Sequence, residues 1–144
     1  MDVRYGQRTD FEWLRDNDDE PNSEWIVRCL EYDEYIVSLN GLQRSGFLRF
    51  SMFWGTIPYM DLIRVVENYK RQGVGTALFD FWEKEMRQRG ARVLLTSAMA
   101  DEPEPQAWHE RNGFKRCGQL TFGRHQQTPE VFFAKDLPEF QNHR

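Results

Sequence analysis

The segment "YKRQGVGTALFDFWEKEMRQRG", from Tyr69 to Gly90, decides the fold of this chain. Its apolar residues recur at helical spacing, and its charged residues fall mostly on the other side of the same helix. The apolar face comprises Val74, Ala77, Leu78, Phe81, Trp82 and Met86. Gly90 suits the position just past a helix, where a left-handed residue ends it. The segment predicts one long amphipathic helix that packs a single face on a core.

Two glycines and two cations stand at the start of this helix. A helix N-terminus has unpaired backbone N–H groups and a partial positive charge. Gly73 and Gly75 would let an anion reach those amides with no Cβ in the way, and Lys70 and Arg71 add charge. This pattern favours a phosphate group as ligand. The alternative is a strand-to-helix turn that needs glycine for its own conformation, and the residues alone leave both open.

Strands and helices alternate around this segment. Strands are predicted over residues 3–7, 34–40, 47–54, 57–66, 91–99, 115–122 and 130–137. Thr9 and Ser23 are the predicted N-caps of two early helices, a short helix ends at Gly113, and Asn40-Gly41 predicts a hairpin. The order β, α, α, β, β, β, α, β, α, β, β predicts an α+β fold, a mixed α/β sandwich.

The composition narrows the class of protein. At 144 residues, with 40% apolar and 15% aromatic content, the chain is the size of one domain and can bury a core. The net charge of −4 argues against nucleic acid as the main partner, and no apolar run is long enough for a membrane. Cys29 and Cys117 predict neither a disulfide framework nor a metal site. We therefore expect one cytoplasmic domain over residues 1–144, without a metal.

Two stretches resemble the signatures of one family. Residues 61–90 resemble the core motif of the GNAT superfamily of N-acetyltransferases, Arg/Gln-x-x-Gly-x-Gly/Ala, which residues 70–75 match. Residues 105–114, "PQAWHERNGF", are similar to a second signature, Ala-x-x-Phe-Tyr-x-x-x-Gly-Phe. The chain departs from the family with Lys70 for Arg or Gln, Pro105 for Ala, and Trp108-His109 for Phe-Tyr. The element order matches over residues 3–137.

The resemblance implies both a fold and a reaction. The implied fold is a central mixed, mostly antiparallel sheet of six or seven strands with about four helices, and a splayed strand pair at the cofactor site. The implied reaction is direct acetyl transfer from acetyl-CoA to a primary amine of a small molecule or a protein, in a ternary complex. The implied cofactor-binding residues are Ile63, Arg64, Val65, Lys70, Arg71, Gln72, Gly73, Val74, Gly75 and Thr76. Dimers are common in this class, so a homodimer is expected.

Candidate catalytic groups follow from what the reaction needs. The Val65 amide is the candidate donor to the thioester carbonyl oxygen. Asp61 is the candidate base or amine-binding group, with a structural aspartate as the alternative, and Glu67 is a weaker candidate. His109 stands where the family has a tyrosine and would protonate the leaving sulfur, unless it is only a helix histidine. The missing tyrosine leaves one alternative open, a non-catalytic acyl-CoA-binding sensor or interaction module.

Two further stretches bear on the amine acceptor. The acidic run at residues 16–20 falls between the first two helices, where this superfamily often builds its acceptor pocket, but we interpret it as a solvated loop. Phe53 and Trp54 end an alternating strand and are candidates for a wall of the acceptor site, with core packing as the alternative.

Overall fold

The computed structural model describes residues 1–138. Its strands are β1 (Asp2–Tyr5), β2 (Tyr35–Asn40), β3 (Gln43–Phe53), β4 (Ile57–Val65), β5 (Val93–Met99), β6 (Lys115–Leu120) and β7 (Glu130–Asp136). Its helices are α1 (Phe11–Asn17), α2 (Ser23–Glu31), α3 (Val74–Gln88) and α4 (Pro103–Arg111), and two single turns of 3-10 helix cover Arg8–Asp10 and Glu67–Tyr69. The predicted element order is confirmed.

The strands form one mostly antiparallel sheet in the order β1-β2-β3-β4-β5-β7-β6. The parallel register of β4 with β5 comprises Tyr59 with Leu95 and Met60 with Thr96. The predicted mixed α/β sandwich is confirmed, and the splayed strand pair stays a prediction. None of the helices within residues 1–138 is long and apolar enough to cross a membrane.

The described chain divides into two compact units. The first comprises residues 1–51 and 62–85, and the second comprises residues 52–61 and those from Met86 onward. The single domain predicted over residues 1–144 stays a prediction, and its last six positions lie outside the described residues.

The first unit packs α1 and α2 against β2 and β3. Its buried cluster comprises Leu14, Ile26, Cys29, Leu30, Tyr35 and Phe47. In α3 the fully buried side chains of this unit are Val74, Leu78, Phe79 and Trp82. Phe79 was missing from the predicted apolar face, whereas Phe81, which was on it, is half-buried and meets the ring of Tyr5 edge-on at 5.5 Å. The buried stripe is therefore rotated from the predicted one.

Three local predictions need correction. Asn22, not Ser23, caps α2, because its Oδ1 accepts the Trp25 N–H at 2.9 Å. Thr9 does not cap α1, because a 3-10 turn at Arg8–Asp10 precedes a helix that begins at Phe11. Trp54 lies beyond the end of β3, in a turn with a φ of 56° and with 80% of its surface exposed.

One turn prediction is confirmed, and a second is shifted by one residue. Gly90 has a φ of 89° and donates to the Arg87 carbonyl, while Ala91 donates to the Met86 carbonyl, which is the expected end of α3. Asn40 pairs with Gln43 across a hairpin, so the turn is centred on Gly41 and Leu42, one residue later than the sequence suggested.

The second unit has two chemically different sheet faces. Along β5 and β7 the buried side chains are Leu94, Thr96, Ala98, Val131 and Phe133, which we call the closed face. The half-buried side chains are Leu95, Ser97, Met99, Glu130 and Phe132, which we call the open face. Helix α4 packs on the closed face, where the rings of His109 and Phe133 lie 5.4 Å apart.

Candidate active site

The turn before α3 leaves backbone amides available for a ligand. The Gly73 carbonyl accepts the Ala77 N–H at 3.0 Å, so Gly73 is the N-cap residue of α3. The amides of residues 74–76 consequently have no acceptor within the helix. Gly73 has a φ of 80°, and a Cβ built on it would meet no atom within 4 Å. This open, left-handed turn with three available amides fits a phosphate group.

The cations at this turn differ in their surroundings. Lys70 pairs with Glu67 at 2.8 Å, and this hydrogen bond lowers the pKa of Glu67. Glu67 therefore behaves as a surface ion-pair partner, which fits a general base poorly. Arg71 is exposed and holds a φ of 65°, unusual for a residue with a side chain. Gln72 donates to the Asn68 carbonyl at 3.2 Å.

Gly46 on β3 fixes the position of the α3 start, and sequence reasoning missed it. A Cβ there would lie 2.8 Å from the Arg64 carbonyl oxygen, 3.1 Å from the Val74 side chain and 3.2 Å from the Leu78 side chain. The absence of a side chain lets α3 and the end of β4 approach β3 closely. The predicted strand began at residue 47, one position after Gly46, so no sequence signal marked this close approach.

The end of β4 supports the predicted role of the Val65 amide. The next residue, Val66, donates its N–H to the Ser45 carbonyl of β3 at 2.8 Å. Because successive N–H groups of a strand point to opposite sides, the Val65 N–H points away from β3. Ile63 is half-buried like Val65.

The side chain of Arg64 is directed to the loop between α1 and α2. Its Nη1 lies 2.9 Å from the Asn17 carbonyl oxygen and 3.5 Å from an Asp19 carboxylate oxygen. Any contact of Arg64 with a cofactor would therefore come from its backbone.

The acidic loop at residues 16–20 is not wholly solvated, contrary to the sequence interpretation. Asp18 is 1% exposed and accepts the Tyr35 hydroxyl at 2.6 Å and Arg49 Nε at 2.7 Å. Burial and the hydrogen bond to Asp18 raise the pKa of Tyr35. Arg49 also reaches Glu20 at 2.6 Å. The buried hydrogen bonds of Asp18 hold this loop in place, whereas Asp16 and Asp19 lie on the surface.

Asp61 and His109 lie on opposite faces of the second unit. Asp61 is half-buried and follows Tyr59 by two residues on β4, so strand alternation puts both on the open face. His109 contacts the closed face, is 5% exposed, and has its Nε2 3.1 Å from the Ser97 carbonyl oxygen. Its buried Nδ1 has no hydrogen-bond partner within residues 1–138, and burial lowers the pKa of the ring. These contacts favour a packing role for His109.

The open face carries a hydrogen-bonded chain that sequence reasoning did not assemble. The Tyr59 hydroxyl bonds the Ser97 hydroxyl, and Ser97 Oγ donates to Glu130 at 2.6 Å. Three strands supply these side chains, so no local motif connects them in the sequence. The rings of Phe53 and Trp54, by contrast, lie 4.6 Å apart at an interplanar angle of 40°, and both side chains are exposed.

A family model identifies the class of protein. The model of the acetyltransferase (GNAT) family matches residues 2–114. The chain belongs to this family and is an N-acetyltransferase. No curated protein sequence matches it significantly.

Solved structures share the fold at low sequence identity. The ribosomal-protein-S18-alanine N-acetyltransferase of Escherichia coli is 15% identical with a TM-score of 0.81, over 99% of this chain and 97% of that one. YncA of Salmonella typhimurium, solved with its cofactor acetyl-CoA, is 16% identical with a TM-score of 0.78, over 96% and 95%. An aminoglycoside 6'-N-acetyltransferase complexed with coenzyme A is 17% identical with a TM-score of 0.77, over 96% and 99%. At these identities the likeness establishes the fold.

Proposed function

We propose that this chain transfers the acetyl group of acetyl-CoA directly to a primary amine within a ternary complex. The observation that carries the proposal is the turn before α3, where Gly73 opens a helix with three available amides. Family membership supports acetyl-CoA as the donor, because the matched model includes this turn.

The pyrophosphate of acetyl-CoA would be held by the amides of residues 74–76, with charge from Arg71. Lys70 and Gln72 would contribute mainly through their backbones, because both side chains are engaged locally. The backbone of residues 63–65 would lie along the pantetheine arm. The proposed arrangement places the cofactor's charge at the positive end of α3.

Acetyl transfer then requires a bond exchange at the thioester carbon. The amine lone pair attacks that carbon, the C–S bond breaks, and the electron pair leaves with sulfur. The Val65 amide would stabilise the carbonyl oxygen as it gains negative charge. Asp61 is the proposed acceptor of the amine proton, directly or through water. Proton donation from His109 to sulfur would need a second proton on its buried ring, so we propose that the thiolate leaves without help from His109.

The names of two of the similar proteins guide the proposed class of acceptor. One is named for an alanine of a ribosomal protein and the other for aminoglycosides. We therefore propose an amine of a protein or a small molecule as the acceptor. We further propose that the enzyme acts in the cytoplasm as a homodimer, and gel filtration with light scattering tests the oligomer.

The test is thiol release from acetyl-CoA against a panel of primary amines. Amine-dependent release supports an enzyme, whereas acetyl-CoA binding without release for every amine supports the sensor alternative. Initial rates with both substrates varied distinguish the route. Intersecting double-reciprocal lines support a ternary complex, and parallel lines would indicate an acetylated enzyme.

A further inference from the structure

Glu130 differs from the buried carboxylates of this chain in its partners. The three most buried acidic side chains each bind arginine: Asp10 binds Arg4 and Arg44, Asp18 binds Arg49, and Glu34 binds Arg28. Glu130 is half-buried, and its hydrogen-bond partners within residues 1–138 are two neutral donors, Ser97 at 2.6 Å and Gln126 at 2.9 Å. A partly desolvated carboxylate with neutral donors retains an unbalanced negative charge, which a cation would complement.

The hydrogen-bond chain fixes the orientation of this carboxylate. An ionised carboxylate only accepts, so the Ser97 hydroxyl donates to Glu130. The Tyr59 hydroxyl then donates to Ser97 Oγ. Gln126 holds the other carboxylate oxygen and also the Thr128 carbonyl, which ties the β6–β7 loop to the site. Both oxygens of Glu130 are therefore held in place before any ligand arrives.

A row of aromatic rings lies on the same face. The rings of Tyr59 and Phe132 are 6.0 Å apart, and those of Phe132 and Phe122 are 6.5 Å apart. Phe132 shares the open face with Glu130 because the two residues are two positions apart on β7. Phe122, from the β6–β7 loop, is 42% exposed. An oriented carboxylate thus lies beside a partly exposed apolar strip.

We propose that Glu130 binds the ammonium group of the acceptor and that Phe122 and Phe132 pack against an apolar group next to it. The acceptor class is then a primary amine with an aromatic or branched apolar substituent close to nitrogen. Charge complementarity selects the ammonium group, and the aromatic strip selects the apolar substituent, with a cation–π contribution where the ammonium lies over a ring face. This inference rests on the proposed acetyl transfer, since it names the acceptor of that reaction.

The experiment compares matched acceptors on purified full-length enzyme. Phenylethylamine and isoamylamine are set against ethanolamine, and Phe-Ala-amide and Leu-Ala-amide against Gly-Ala-amide. We expect the apolar member of each set to have a kcat/KM about tenfold higher or more, the discrimination that an apolar pocket provides. If both sets show this preference, the site accepts both peptide amino termini and small amines. A preference in only one set identifies which of the two is the acceptor. Equal rates within both sets would overturn the proposal.

Two variants assign the effect to residues. Glu130→Gln keeps the shape of the side chain and one acceptor oxygen but removes the charge, and we expect kcat/KM for phenylethylamine to fall about 10- to 100-fold while the acetyl-CoA Kd is unchanged. Phe122→Ala should lower kcat/KM for phenylethylamine about tenfold and so abolish its preference over ethanolamine. Glu110→Gln and Leu42→Ala, at exposed positions, are the matched controls. Unchanged kinetics in Glu130→Gln and Phe122→Ala would contradict the proposal.

A binding measurement separates this inference from the proposed reaction. Calorimetry follows phenylethylamine binding to the enzyme with unreactive CoA present. Binding that Glu130→Gln weakens, without turnover of any amine, supports the site and removes the acetyl-transfer proposal. Turnover that neither variant alters supports acetyl transfer and removes the site. Should Glu130→Gln fail to fold, the exposed Phe122→Ala decides the outcome alone.

Discussion

At the residue scale, the His109 ring is buried and packs against Phe133, as a core side chain does. Since Nε2 faces a carbonyl oxygen, the neutral ring carries its proton there, and the buried Nδ1 has none to give. We expect His109→Phe to keep kcat within about threefold at pH 7.5, because packing against Phe133 is retained. A proton donor would instead lose about 10²-fold. The measurement is kcat at saturating acetyl-CoA.

The same residue predicts a pH dependence of stability. Burial lowers the pKa of His109 below its ordinary 6.5, so the unfolded chain binds the proton first as the pH falls. The free energy of unfolding should therefore decrease as the pH falls from about 6.5 towards the folded pKa. Urea unfolding should show that the free energy of unfolding falls more between pH 7.5 and pH 5.5 for wild type than for His109→Phe. Equal losses would mean that the ring is protonated without cost in the fold.

Asp10 is the second residue-scale case, a fully buried carboxylate with three donors. Arg4 binds it at 2.7 and 3.1 Å, Arg44 at 2.7 Å and the Gln7 amide at 2.7 Å. Burial raises the pKa of Asp10, but these hydrogen bonds outweigh burial and lower it. The contribution of Asp10 to the free energy of unfolding is thus fully present above the unfolded pKa of 3.8. It is lost as the pH falls through the lower pKa of the folded state.

Asp10→Asn should therefore cost about 3 kcal/mol at pH 7, the range for breaking a buried ion pair. Urea unfolding measures the change, and the cost should shrink as the pH falls below about 3.8. Asp2→Asn, at an exposed strand position, is the matched control. A cost that does not change with pH would contradict the charge-based account.

At the element scale, the approach of α3 to β3 depends on Gly46. Its Cβ would lie 2.8 Å from the backbone oxygen of Arg64, which cannot rotate away. We expect Gly46→Ala to destabilise the fold by about 1–3 kcal/mol, as overpacking does, and to weaken acetyl-CoA binding by displacing the helix start. Thermal unfolding and calorimetry measure the two effects. Gly118→Ala, where a Cβ meets nothing within 4 Å, should change neither.

The N-terminus of α3 makes a prediction about the cofactor. Gly75 lies in the first turn, where a carboxylate would oppose a bound pyrophosphate. We expect Gly75→Glu to lower acetyl-CoA affinity more than tenfold, at least about 1.4 kcal/mol by calorimetry. Gln88→Glu adds the same charge at the exposed far end of the helix and should leave affinity intact. A folded Gly75→Glu protein with normal affinity would rule out the phosphate turn.

At the scale of the whole molecule, sequence periodicity predicted the elements because each depends on residues close together in the chain. The turn glycines Gly73 and Gly90 were predictable for the same reason, since a left-handed φ is a local requirement. The open face was not predictable, because Tyr59, Ser97 and Glu130 meet only after three strands align in register. Burial of Asp18 escaped prediction as well, because its arginine partner is 31 residues away.

The two cysteines give the molecule a built-in pair of reporters. Cys117 is exposed on β6, whereas Cys29 is 1% exposed within the first unit. A maleimide should modify Cys117 within the first phase of the reaction and Cys29 only when the helix that carries it detaches. Mass spectrometry over time should show two well-separated rates, with Cys117→Ser removing the fast one. Adding urea below the unfolding midpoint should accelerate only the slow reaction. The rate of Cys29 modification in the wild-type chain therefore measures how often the first unit opens.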